Sequence, residues 1–282
     1  MDGDFFVYSW TDVLSGKSSV KDLLEAKGCS ATALTVGGFD GVHLGHMALL
    51  DAVLAQKNLL PGVVTFTKSP ASVINSASFL GSVYTLNQRL EIFKGKGFAF
   101  AVVIDFSHEF GRMEGNIFLS ILKDFLLMSF MAEGKDFRCG YKGAFGLSQT
   151  VSFLQSQKIA FGEIPPVLVD GQRVSSTTIR NLVSSADFAF AKKLLGRPYA
   201  LDCTVREWEK KGDEYISCSP SVVENQVLPP SGKYDVFLRF FIGQRTELFP
   251  SVVEICGKEI KVKLPDNDFV HSGILQAVEF TV

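Results

Sequence analysis

The sequence predicts an α/β protein: a doubly wound parallel sheet, followed by a smaller antiparallel β-barrel-like domain. Three observations carry that reading. Over the first 170 residues, short runs rich in Val and Phe alternate with runs whose apolar residues recur at helical spacing. A glycine-rich turn joins one of those strand-like runs to the helix-like run after it. Beyond about residue 200 the rhythm changes to short alternating runs with turn signals between them.

The elements follow in order. "ATALTV" (31–36) reads as a buried strand. "GHMALLDAVLAQKN" (45–58) reads as a helix, with Met47, Leu50, Val53 and Leu54 on one stripe. "LPGVVTFT" (60–67) is the next strand. "TLNQRLEIFKGKG" (85–97) is a helix with Thr85 as N-cap and a glycine exit. "FAFAVVIDF" (98–106) is a strand, "NIFLSILKDFLLMSF" (116–130) a helix and "QTVSFLQSQKIA" (149–160) another. "PPVLVDG" (165–171) is a short strand and turn. "DFAFAKKLLGRPY" (187–199) is a linker helix between the two domains, which are expected at 1–200 and 201–282. In the second, "ALDCTVREWE", "EYISCSP", "KYDVFLRFFIG", "SVVEICGKEIKVKLP" and "AVEFTV" are the strand candidates.

Composition narrows the function classes. A net charge of −2 gives no support for binding nucleic acid or a membrane surface. The five cysteines are dispersed, odd in number and lack CxxC spacing. That argues against a disulfide framework or a zinc knuckle and suits a reducing compartment. "MDGDFFVYSW" lacks the features of a secretion signal, and "FLLMSFMA" is too short to span a bilayer. The expected location is the cytoplasm. Twenty-five phenylalanines read as core filling.

"GGFDGVHLGHMALL" (37–50) holds two of the four histidines, His43 and His46, where strand gives way to helix. In an open α/β sheet this edge binds ligands. A helix N-terminus offers free N–H groups and a positive dipole end, which attract phosphate. Glycines at 37, 38, 41 and 45 permit tight turns and close approach of a ligand. From here His43 and His46 can donate to charge developing on a phosphoryl group. Taken alone, the pair also fits an ordinary surface pair or a fragment of a metal site. A metal would need further ligands, and His108 and His271 lie far off with no spacing signal. Later, "SSTTIR" (175–180) has the small hydroxyls of a helix N-cap, with Arg180 one turn in. Arg180 reads either as a surface residue or as a clamp on phosphate oxygens.

"GGFDGVHLGH" resembles the signature of the nucleotidyltransferase domain of prokaryotic FAD synthetases, the bifunctional riboflavin kinase/FMN adenylyltransferases of the wider HxGH group. The resemblance continues in order through "VVTFTKSP" (63–70), "GKDFRCGYKGAFG" (134–146) and "VDGQRVSSTTIRNLVSSADFAFAKKLLGRPY" (169–199). It covers roughly residues 30–200. It implies a Rossmann-like domain that transfers AMP from ATP to FMN, giving FAD and pyrophosphate, with magnesium arriving as MgATP. His43, His46 and Arg180 would be catalytic. Gly37, Gly38, Phe39, Asp40, Gly45, Ser176 and Thr177 would hold ATP. Thr65, Phe66, Asp136, Phe137 and Arg138 would hold FMN, and no protein metal ligand set is expected. Asp40 could orient the loop or help hold magnesium.

Three departures stand out. Cys139 replaces the family's usual Phe, Ser69 replaces its usual His, and Thr67 and Lys68 replace Glu and Pro, while Pro70 is kept. The kinase signature PTxN is missing after residue 200, although "LPPSGKYDVFL" (228–238) faintly resembles a strand of that module. Residues 201–282 therefore read as a degenerate kinase-like barrel without riboflavin kinase activity. Two rivals remain: an HxGH nucleotidyltransferase for another phosphorylated acceptor, and a non-catalytic flavin- or nucleotide-binding regulator.

Overall fold

A computed structural model describes residues 4–68, 79–106, 110–211, 214–218, 226–265 and 273–281. The expectations placed on Ser69, Pro70, His108 and His271 lie outside the described residues. The chain divides into two compact units. One comprises Met1–Phe39, Gly45–Ser76 and Arg89–Leu168; the other comprises Asp40–Leu44, Ala77–Gln88 and Val169–Val282.

The first unit is built on a six-stranded parallel sheet. Its strands are β1 (Phe6–Ser9), β2 (Thr32–Val36), β3 (Leu60–Phe66), β4 (Phe100–Ile104), β5 (Met128–Gly134) and β8 (Ala160–Ile164). Their order is β1-β4-β3-β2-β5-β8, and every pairing is parallel. The chain winds one way from β2 through β3 to β4, then returns to the far side of β2 as β5 and β8. That reversal makes the carboxyl end of β2 a switch point, where a crevice opens between neighbouring strands.

Crossovers α3 (Leu44–Leu54) and α4 (Leu86–Lys96) run in the first direction, so right-handedness puts both on one face of the sheet. On the opposite face, Leu34, Val64, Phe100 and Val102 pack against the remaining helices. These are α1 (Trp10–Leu14), α2 (Val20–Lys27), α5 (Gly115–Phe125) and α6 (Leu147–Ser156), which contribute Trp10, Leu24, Leu122 and Leu154. A short hairpin, β6 (Arg138–Cys139) with β7 (Phe145–Gly146), lies between β5 and α6.

Two expectations are corrected. The helix expected over 116–130 stops at Phe125, and the chain re-enters the sheet as β5 at Met128. Leu127 makes the break, at φ 54. The run "FLLMSFMA" is apolar except for Ser129, because from Met128 on it belongs to β5, which is paired on both sides and largely buried. A continuous apolar run has no period that separates helix from strand. The helix expected over 149–160 likewise ends at Ser156, and β8 begins at Ala160 after Lys158 turns at φ 58.

The second unit carries a seven-stranded antiparallel sheet. Its strands are β11 (Ala200–Asp202), β12 (Glu209–Lys210), β13 (Tyr215–Cys218), β14 (Gly232–Ile242), β15 (Arg245–Cys256), β16 (Glu259–Lys263) and β17 (Ile274–Phe280). The order is β11-β17-β14-β15-β16-β13-β12, as the alternating runs lead one to expect of an antiparallel domain. Before it come the hairpin β9 (Leu168–Val169) with β10 (Gln172–Arg173), then α7 (Ser176–Ser184) and α8 (Phe188–Leu195). Phe188 of α8 stacks on Phe280 of β17 at 4.5 Å, with Tyr199 packed beside both. All five cysteines are free thiols. No helix among the described residues is long and apolar enough to cross a membrane.

Candidate active site

β2 ends at Val36, and the glycine-rich turn begins there. α3 starts at Leu44, so His46 sits in its first turn and His43 immediately before it. The loop backbone is strained: Phe39 has φ 47, Gly41 φ 79 and Val42 φ 39. A β-branched residue in the left-handed region is a true outlier, and such strain clusters at functional sites. Gly41 has no room for another residue type, because a Cβ there would lie 2.9 Å from Val83. Phe39 is fully buried, with its ring edge-on to His46 at 5.3 Å and to Phe93 at 5.6 Å.

Asp40 is the hub of the second unit's share of the motif. One carboxylate oxygen accepts from the Val83 and Tyr84 amides, at 2.7 and 3.0 Å. The other accepts from Arg180 Nη2 at 2.6 Å. Its backbone carbonyl accepts from the Ser176 hydroxyl at 2.9 Å. Both carboxylate oxygens are thus committed to protein partners, which makes Asp40 a loop organiser. Ser175 caps α7 through the Thr178 amide, as the small hydroxyls predict. Thr177 is exposed beside Arg180, whose guanidinium also stacks on Phe79 at 4.8 Å.

Arg197, which the sequence did not single out, donates to the carbonyls of Gly41 and Val42 at 2.6 and 3.0 Å. His43 is buried, and burial lowers its pKa from 6.5 to about 4; the Arg197 and Arg180 guanidiniums push the same way. Its imidazole is therefore neutral at pH 7.

In the first unit Arg89 plays a similar part. It is buried on α4 and donates to the Gly38 carbonyl (2.8 Å), the Thr65 hydroxyl (2.9 Å) and the Phe66 and Thr67 carbonyls (2.9 and 3.1 Å). Thr65 therefore holds Arg89 from within the core. Glu133 is the third residue the sequence passed over. It is fully buried, which raises its pKa well above the carboxylate range. Its carboxyl accepts from the Val36 amide at 2.6 Å and the Thr35 hydroxyl at 3.3 Å, just beyond the paired stretch of β2 and β5.

A cavity of about 650 Å³ opens beside the turn in the first unit. Val36, Gly37 and Gly38 form one wall, and Phe137, Arg138, Cys139 and Gly140 form another. Phe66, Phe106, Phe110 and Phe118 line much of the rest, three of them packed in mutual edge contacts near 5.9 Å, and Lys142 and Gly143 also border it. Part of the phenylalanine content thus serves a cavity rather than a filled core. Burial pushes the Cys139 thiol up to about 12, with the Glu133 charge adding to it, so it is no nucleophile at neutral pH. Asp136 stands exposed on the adjoining loop and is not among the lining residues. The described residues include no group of three or more His, Cys, Asp or Glu able to hold a metal.

The FAD synthetase family model matches residues 26–178. The chain belongs to the FAD synthetase family. Among its relatives, the bifunctional riboflavin kinase/FMN adenylyltransferase of Haemophilus influenzae is 30% identical over 230 residues, covering 77% of this chain and 71% of the relative. The protein of the same description from Escherichia coli K12 is 29% identical over 221 residues, covering 74% and 68%. In fold, the chain resembles a crystal structure described as a macrolide-efflux protein from Streptococcus pneumoniae. That likeness has a TM-score of 0.70 at 19% identity and covers 89% of this chain and 92% of the other. The stretch shared with the FAD synthetase family spans the turn, the cavity walls and the cap of α7, and stops two residues short of Arg180.

Proposed function

We propose that this FAD synthetase family member is an FMN adenylyltransferase: it transfers AMP from ATP to FMN, giving FAD and pyrophosphate, and lacks riboflavin kinase activity. Beyond family membership, the observation that carries this reading is the phenylalanine-lined cavity walled by Gly37 and Gly38. It offers an aromatic, largely apolar space to a flavin ring, directly beside a turn suited to phosphate.

The FMN phosphate attacks the α-phosphorus of ATP, a new P–O bond forms, and the α–β bridging oxygen leaves with pyrophosphate. The attacking group is already an anion, so no protein nucleophile is required. Catalysis is positioning and charge stabilisation. His43 and His46 donate to the triphosphate. Gly37, Gly38, Phe39, Gly45, Ser176 and Thr177 bound the ATP site, and Asp40 with Arg180 fixes its loop. Phe66, Phe137 and Arg138 meet the flavin, Thr65 supports them through Arg89, and Asp136 borders the site from its loop. Magnesium enters as MgATP, carried by the triphosphate, while Asp40 holds the loop through Val83, Tyr84 and Arg180.

In this reading residues 1–200 form the transferase domain. Residues 201–282 lack PTxN and do not phosphorylate riboflavin. The deciding assay supplies ATP, magnesium and FMN and follows FAD and pyrophosphate. Riboflavin with ATP is run beside it. FAD in the first arm and no FMN in the second is the expected result. No FAD in the first arm overturns the transferase reading, and FMN in the second overturns the loss of the kinase.

A further inference from the structure

The cavity in the first unit has an uneven charge. Among the described residues that line it, only Arg138 and Lys142 are charged, and both are cations. The chain as a whole is slightly acidic, so this is not a reflection of composition. The loop that presents them is built rather than loose. Gly140, Lys142 and Gly143 all take positive φ, at 76, 52 and 64. Gly140 admits no Cβ, which would lie 2.6 Å from the Gly115 amide nitrogen. Arg138 Nη1 donates to the Gly143 carbonyl at 3.3 Å and so spans the loop. Lys142 is not glycine, yet it holds the left-handed conformation; strain of this kind needs a surrounding structure that imposes it.

We propose that Lys142 is a specificity-determining residue, which with Arg138 makes this cavity prefer a phosphorylated flavin to the same flavin without its phosphate. The inference rests on the reading of the cavity as the flavin site. An aromatic interior binds the ring of either ligand about equally. Two cations at its wall act only on the ligand that carries a dianion. Lys is suited to this as a point charge on a long stem, able to follow a phosphate that must remain free to react.

The test compares FMN with riboflavin, each titrated into the wild-type protein and into the Lys142→Gln and Lys142→Glu variants, read by quenching of flavin fluorescence. Binding does not require turnover, so the inference is measured apart from the catalytic reading. Expected is a Kd for FMN raised about fivefold by Lys142→Gln, the upper range for an exposed charge pair, and more than tenfold by the charge reversal Lys142→Glu. The Kd for riboflavin should change less than twofold, and the preference for FMN should shrink as salt rises. Equal losses for both ligands would mean that Lys142 acts by packing and would overturn the inference. So would an unchanged Kd for FMN, or a wild-type protein that binds both flavins alike. If FMN is preferred through Lys142 but no FAD forms, the catalytic reading fails and this one stands.

Discussion

Arg180 and Asp40 lie 140 residues apart in the chain, and their side chains meet at 2.6 Å in a buried ion pair. That contact ties the capped helix α7 to the loop that carries His43. The carboxylate also receives the Val83 and Tyr84 amides, so its partners come from two separate stretches of sequence.

Replacing Asp40 by Asn therefore removes more than a charge. Arg180 is left buried without its counterion, which typically costs about 3–5 kcal/mol. Urea unfolding should show a loss of that order, and FAD formation should fall sharply. A variant with full stability and full turnover would show the pair to be dispensable.

His46→Ala should behave differently. His46 meets Phe39 edge-on, and the hydrogen bonds that Asp40 and Arg197 make in the loop are with other residues. The variant is expected to fold, with a circular dichroism spectrum like the wild type, and to make no FAD from FMN and ATP. Full turnover by the folded variant would sink the assignment of His46 to catalysis.

His43 predicts a pH dependence of stability. In the unfolded chain its proton binds near pH 6.5, and in the folded protein only near 4. Between those values the unfolded state binds more protons, so stability falls as pH drops through this window. The contribution, on the order of 3 kcal/mol, is intact above pH 6.5 and gone below 4. His43→Asn carries no such proton. Its urea midpoint should fall less steeply from pH 7 to 4, and parallel slopes for the two proteins would refute this account.

Arg89→Lys keeps the charge but cannot reach four oxygens at once. It leaves the buried Phe66 carbonyl and the partly buried Gly38 and Thr67 carbonyls short of a donor, at about 1–3 kcal/mol where no water replaces it. The expected result is a lowered melting temperature together with a raised KM for FMN, because Phe66 and Gly38 wall the cavity. An unchanged KM would restrict Arg89 to stability.

Gly41→Ala should cost about 1–3 kcal/mol, from φ 79 and from the 2.9 Å approach of its new Cβ to Val83. Thermal unfolding measures it directly; a neutral effect would show that the loop relaxes more easily than its geometry indicates.

The parts legible in the sequence are those whose physics is local. Thr85 caps α4 through the Gln88 amide, and Ser175 caps α7, because a small hydroxyl satisfies free N–H groups wherever a helix begins. The turn at Gly37–Gly45 was readable because glycine marks places where backbone must bend or be approached. Arg89 and Arg197 left no such mark. On a helix or after one, an arginine reads as solvated, and what buries Arg89 are oxygens 22 to 51 residues upstream. Glu133 sits in a strand that the apolar run had disguised as helix, so neither its element nor its burial was readable. The phenylalanines were counted correctly, but only tertiary packing separates a ring that fills a core from one that walls a cavity.

The order of strands in the second sheet bears on when the protein becomes competent during synthesis. β17 follows the sheet's other described strands in sequence, yet it sits inside the sheet, paired with β11 on one side and β14 on the other. Its Phe280 amide donates to the Tyr199 carbonyl, next to Pro198, whose carbonyl accepts from the Tyr84 hydroxyl; the Tyr84 amide in turn holds Asp40. A chain still on the ribosome short of residue 280 thus leaves two strand edges open. The loop at residues 40–44 receives its last support only once residue 280 has emerged.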